Sequence, residues 1–160
     1  MNKSIHEWLS EYGESHQNPI NKKIHWVCVP LILISLFGLL WNIYFPINLT
    51  ISLNNMTMNM NWTIILIIIA TLFYFKLSFS LTIGMIFISI GALLINHYLS
   101  LLPYPLWKTS LFVFIIAWIG QFIGHEIEGK KPSFLKDIQF LLIGPAWLLS
   151  FIYKKFNIPL

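Results

Sequence analysis

Long apolar runs separated by short polar breaks occupy most of this sequence from Ile24 onward. Five can be drawn: Ile24 to Phe45, about Trp62 to Phe75, Leu77 to Leu102, Leu106 to Ile127, and Ile138 to Tyr153. A helix needs ~20 apolar residues to cross a hydrocarbon core, and the first, third and fourth runs meet that length. The second and fifth are short, which fits tilted partners, shielded half-spans or helices extended into the interface. The second can lengthen backward into the uncharged stretch Met56–Asn61, and Gly144-Pro145 should kink the fifth. Ahead of the first run, Ser4 to Glu14 puts Ile5, Trp8, Leu9 and Tyr12 on one face of a short helix, expected to lie on the membrane without crossing it. The pattern predicts an all-α, polytopic membrane bundle. About five transmembrane helices follow a short interfacial helix, in a single domain over residues 1–160.

Composition agrees. The chain is 57% hydrophobic and only 10% charged, with mean hydropathy +0.72, whereas a soluble domain carries about a quarter charged residues. No stretch outside the apolar runs is long enough to bury a core of its own. The polar N-terminus has no apolar stretch before a small-residue cleavage site, so it does not read as a signal peptide. Arginine is absent, and a net charge of +4 rests on lysines. In a soluble chain that charge would raise nucleic acid as a partner. Here the lysines sit at span ends and orient the chain against the membrane surface, so no nucleic acid is expected. The lone Cys28 excludes an internal disulfide and a cysteine-based metal site.

If all five runs cross, one side holds Lys3, Lys22, Lys23, Lys76, Lys130, Lys131 and Lys136, together with all six acidic residues. The other holds Lys108, Lys154 and Lys155. The excess makes the first side cytoplasmic. The same count brings His16, His25 and His125 to that side, although they flank different runs.

Two polar constellations carry the candidate chemistry. In His16-Gln-Asn18-Pro19-Ile-Asn21-Lys-Lys-Ile-His25, Pro19 should start a helix with Asn18 as its cap. Asn21 and His25 then stand one above the other at i and i+4. In Trp118-Ile-Gly120-Gln121-Phe-Ile-Gly124-His125-Glu126-Ile-Glu128, residues Gln121, His125 and Glu128 form one stripe. A polar stripe on an apolar helix faces protein, water or a ligand, and Gly120 and Gly124 let a neighbouring helix approach closely. The plainer readings are a capped helix entry for the first constellation and a packing seam for the second. Joined, neutral imidazoles and a carboxylate suit Fe(II), Mn(II) or Zn(II). Two histidines plus a carboxylate fit non-haem iron with open positions, and three histidines fit zinc with a bound water. His97 falls on the opposite side by the same count, and His6 reads as a surface residue. Lys130-Lys131 reads as a solvated anchor that could also meet a fatty acid carboxylate or a lipid headgroup.

The paired motif His16-x-Asn18-Pro19-x-Asn21-x-x-x-His25-x-x-x-x-Pro30 and Trp118-x-x-Gln121-Phe122-x-Gly124-His125-x-x-Glu128-x-x-x-Pro132 resembles the Mpo1-like membrane proteins. The resemblance implies an Fe(II)-dependent dioxygenase, with Zn(II) as the alternative metal. It would take a long-chain 2-hydroxy fatty acid and O₂ from a membrane-lipid setting and release a fatty acid one carbon shorter plus CO₂. It implies His16, His25 and His125 as metal-binding residues, with Asn21, Gln121 and Glu128 as further site members that orient ligands or bind through water. Of the two acids flanking Ile127, spacing favours Glu128 over Glu126. Eukaryotic relatives work in the endoplasmic reticulum. The Ile-, Asn- and Lys-rich composition and compact loops here point to a bacterial inner membrane, with the site facing the cytoplasm. A zinc-dependent membrane lipid hydrolase and a non-catalytic lipid-binding membrane protein are the alternative functions.

Overall fold

A computed structural model describes residues 3–46, 50–53, 56–132 and 139–160. Ser4 opens α1 (Ile5–Glu14): its hydroxyl accepts from the Glu7 amide while the Glu7 carboxylate accepts from the Ser4 amide. Asn18 caps α2 (Pro19–Trp41) by accepting from the Ile20 amide at 2.8 Å, with Pro19 in the first turn. That helix start is the one read from the sequence.

Between α2 and α3 (Trp62–Leu77) the chain forms an antiparallel hairpin of β1 (Thr50–Leu53) and β2 (Met56–Asn59). The bundle itself is helical, as expected, and the hairpin makes one correction: Met56–Asn59 does not extend the second apolar run backward. Met-Thr-Met-Asn alternates with the period of a strand. Asn61 then fixes where α3 begins by accepting from the Thr63 and Ile64 amides.

Ser78 alone separates α3 from α4 (Phe79–Ser100), and α5 (Leu106–Glu128) and α6 (Phe140–Lys155) follow. Among the described residues, α2, α4 and α5 are long and apolar enough to cross a membrane, and α3 is apolar but shorter. Helices α2 and α5 run antiparallel in close approach. A Cβ at Gly120 would lie 2.6 Å from the Cys28 sulfur, and one at Gly124 would collide with the Asn21 amide oxygen. The close approach expected of this glycine pair is therefore present. At the other end Asn96 Nδ2 donates to the Ile34 carbonyl at 3.0 Å, and Thr63 Oγ1 donates to the Phe37 carbonyl at 2.8 Å. These bonds tie α4 and α3 to α2.

Helix α6 departs from the expected fifth crossing. Tyr74, in the last turn of α3, donates to the Leu142 carbonyl at 2.7 Å. Tyr153, near the end of α6, donates to the Ser80 carbonyl in the first turn of α4 at 2.7 Å. Both ends of α6 are thus tied to the α3–α4 junction, and the helix lies across that end of the bundle. Trp8 and Tyr12 of α1 pack against Phe140 and Trp147 of α6, with ring centroids 5.2 and 5.4 Å apart. Ile143, Ala146, Trp147, Leu148 and Leu149 are buried, so one face of this run serves protein contacts, with Leu141, Phe151 and Ile152 exposed on the other. Four helices, α2 to α5, run the length of the bundle, and α1 and α6 cover one end. Lys154 and Lys155 move to that covered end, leaving Lys108 as the lysine of the far end among the described residues. Lys136, Asp137 and Ile138 lie outside the described residues.

Candidate metal centre

The covered end is where α1 stops, α2 starts and α5 stops, and each supplies one histidine. His16 follows the last turn of α1, its amide donating to the Gly13 carbonyl at 3.0 Å. This folds its ring back along α1, where Nδ1 meets the Tyr12 carbonyl at 2.5 Å and the ring stacks on Tyr12 with centroids 4.1 Å apart. His25 Nδ1 meets the Asn21 carbonyl, one turn earlier on α2, at 3.0 Å.

A carbonyl only accepts, so each Nδ1 carries the proton and donates it, and the lone pair of each neutral ring sits on Nε2. These two Nε2 atoms face each other at 2.8 Å. Two lone pairs at that distance repel unless a cation lies between them. A proton is a poor candidate, because both rings are fully buried. Burial, reinforced by the neighbouring His25, pushes His16 down to about 3. His125 completes the group from α5, its ring centroid 4.9 Å from that of His16 and 5.1 Å from that of His25. Its Nδ1 is buried without a hydrogen-bond partner. One ligand nitrogen from each histidine lies within 4.8 Å of the others. These separations bracket the about 3.3 Å edge of a tetrahedral site with metal–nitrogen bonds of ~2.0–2.1 Å. The donor set therefore fits a divalent metal ion.

The other predicted residues surround this triad. Asn21 is fully buried; its Nδ2 donates to the Glu128 carboxylate at 3.0 Å, and its Oδ1 has no hydrogen-bond partner. Gln121 is buried one turn below His125, with its Nε2 unpartnered. Glu128 reaches from the last turn of α5 to the start of α2, where its two oxygens accept from the Gln17 and Asn18 amides, each at 2.8 Å. The positive end of a helix favours a carboxylate there, so the acid of the histidine-plus-carboxylate alternative is engaged as a clamp beside the triad. Glu126 and His6 are exposed, and His97 sits in the last turns of α4 at the far end.

Two contributors escaped the sequence reading. The sequence pattern puts Tyr12 only on an apolar face, although its i, i+4 spacing to His16 is a usable signal. Trp147, whose ring centroid is 5.1 Å from that of His16, left no signal within its apolar run. Gly129, at φ +71°, ends α5 in a left-handed turn, and Lys130 Nζ then donates to the Glu14 carbonyl at 2.6 Å. A cavity of about 570 Å³ begins at Tyr12, Gln121 and His125 and descends between α2, α3 and α5 along apolar side chains.

Over residues 2–156 the chain matches the family described as 2-hydroxy-palmitic acid dioxygenase Mpo1-like. It belongs to the Mpo1-like family. It is 30% identical over 156 residues to the Saccharomyces cerevisiae protein named 2-hydroxy-palmitic acid dioxygenase MPO1, a match covering 94% of this chain and 81% of the yeast protein. No solved structure matches. For this Mpo1-like chain, the two motifs that carried the resemblance stand side by side at one end of the bundle.

Proposed function

We propose that this Mpo1-like protein is an Fe(II)-dependent dioxygenase. It converts a long-chain 2-hydroxy fatty acid and O₂ into the fatty acid one carbon shorter, CO₂ and water. The observation that carries this reading is the opposed pair of Nε2 lone pairs, joined by His125 at the head of an apolar cavity. His16, His25 and His125 would hold the iron, which when bound would supply sites for the 2-hydroxy acid head and O₂.

The chain's own groups do the rest. The Tyr12 and Asn21 carbonyls hold two rings in the tautomer that presents Nε2. Gln121 Nε2, buried, unpartnered and on the cavity wall, offers a donor to the substrate head, while Asn21, packed against Gly124, donates to Glu128. Glu128 holds the α2 start against α5. The apolar walls take the acyl chain and keep water from the reacting carbon. The lysine-rich end is the cytoplasmic one by the positive-inside rule, in a bacterial inner membrane.

The three-histidine set favours a second reading, a zinc lipid hydrolase using metal-activated water. Anaerobic reconstitution with Fe(II), followed by 2-hydroxypalmitate and O₂, separates the two. The dioxygenase reading expects the fifteen-carbon acid with matching O₂ consumption, both lost in His25→Ala and His125→Ala. Tightly held zinc and no response to Fe(II) would refute it.

A further inference from the structure

The cavity follows α2, α3 and α5 from the histidine end toward the far end of the bundle. On α5 it runs from His125 past Gln121 and Trp118 to Phe114, eleven residues that rise roughly 16 Å. On the facing walls its deepest side chains are Phe37 of α2 and Leu66 of α3. Directly beneath them Thr63 Oγ1 bonds the Phe37 carbonyl at 2.8 Å, pinning the start of α3 onto α2. Phe37 is only 2% exposed, so its ring is held in place by packing. A chain whose polar head sits at His125 therefore reaches Phe37, held by packing, and Leu66, half-buried beside an outer groove, at the far end of the lining.

We propose that Phe37 and Leu66 form a floor that sets the longest acyl chain the protein accepts, making them specificity-determining residues. This rests on the reading of the substrate as a 2-hydroxy fatty acid. Neither residue approaches the histidines, so neither bears on the chemistry itself.

The test offers the detergent-solubilised protein an equimolar mixture of saturated 2-hydroxy acids from about ten to twenty-four carbons. Bound acids are extracted and quantified by mass spectrometry against protein-free micelles. Enrichment should hold level up to a limiting length, then fall about fourfold for each further methylene that finds no apolar room. Phe37→Ala opens space at the floor and should move the limit longer by two or more carbons. Leu66→Trp fills it and should move the limit shorter, which keeps the test intact if Phe37→Ala fails to fold. A limit that moves in neither variant, or enrichment with no limit, overturns the proposal. Turnover of 2-hydroxypalmitate with an unmoved limit sinks the floor alone, whereas a shifted limit without turnover sinks the dioxygenase reading alone.

Discussion

Replacing Glu128 with alanine should weaken metal binding about tenfold without abolishing it. The carboxylate accepts from the Gln17 amide, the Asn18 amide and Asn21 Nδ2. Hydrogen bonds to a charged acceptor contribute ~1.5–3 kcal/mol each when buried. Gln17 is exposed and Glu128 only half-buried, so water recovers most of that sum and a net loss of about 1.4 kcal/mol remains. The loss falls on the junction that brings the His16 turn and His25 against His125. Metal affinity changes tenfold per about 1.4 kcal/mol, and removal of groups that orient ligands from outside the coordination sphere costs about 10–100-fold. The assay is an anaerobic titration of Fe(II) against a competing chromophoric chelator, with wild type, Glu128→Ala, Glu128→Gln and His125→Ala side by side. Glu128→Ala should still bind one metal per chain at saturation, with Kd raised about tenfold. Glu128→Gln should fall between it and wild type, because one amide oxygen survives as an acceptor. A folded Glu128→Ala protein that binds no metal at any concentration would make Glu128 a ligand. A Kd within twofold of wild type would show that the clamp positions nothing.

Chelation should destabilise the fold, because it leaves the His16 and His25 lone pairs opposed at 2.8 Å. At a metal concentration of 100 Kd the bound ion contributes about 2.7 kcal/mol, read as a fall in Tm on adding chelator and its recovery on adding metal. Acid should weaken the metal-free protein through His16. Its folded value is lowered from 6.5 to about 3, so the unfolded chain takes a proton that the folded one refuses, and stability declines as pH falls from 6.5 toward 3. The slope is at most about 1.4 kcal/mol per pH unit for this group, and an equal decline in His16→Gln would remove His16 as its cause. Gly120→Leu should separate α2 from α5, since a Cβ there would already lie 2.6 Å from the Cys28 sulfur. Its metal stoichiometry should fall with its Tm, while Gly91→Leu, where a Cβ meets nothing within 4 Å, should change neither. In a Cys28→Ser background, single cysteines at Lys23 and Lys155 should be labelled by an impermeant reagent from the same side of the membrane, and a cysteine at Lys108 from the other. Opposite-side labelling of the first two would restore a crossing α6.

What the sequence revealed and what it hid divide along a physical line. The start of α2 follows from Asn18-Pro19, where a side chain must satisfy orphan amides within two or three residues, and the Asn61 cap of α3 is the same kind of signal, passed over by a reading that lets the run extend through Met56–Asn61. Those are local effects, and local pattern reports them. The fate of α6 is not local. Hydropathy measures how strongly a run avoids water, and burial against protein satisfies it as well as lipid does, so Ile143, Trp147 and Leu149 read like a span. The histidine triad survives this error because it depends only on an even number of crossings between the start of α2 and the end of α5, and α6 comes after both. The tautomers lie between the two cases. The Asn21–His25 contact is an i, i+4 relation on one helix and was open to prediction. The return of His16 onto the Tyr12 carbonyl depends on how α1 stops at Gly13 and Ser15. Composition does not report that turn, yet it decides which nitrogen His16 presents. Metal affinity should therefore depend on the α1 terminus, in residues that touch no metal, as well as on the histidines that do.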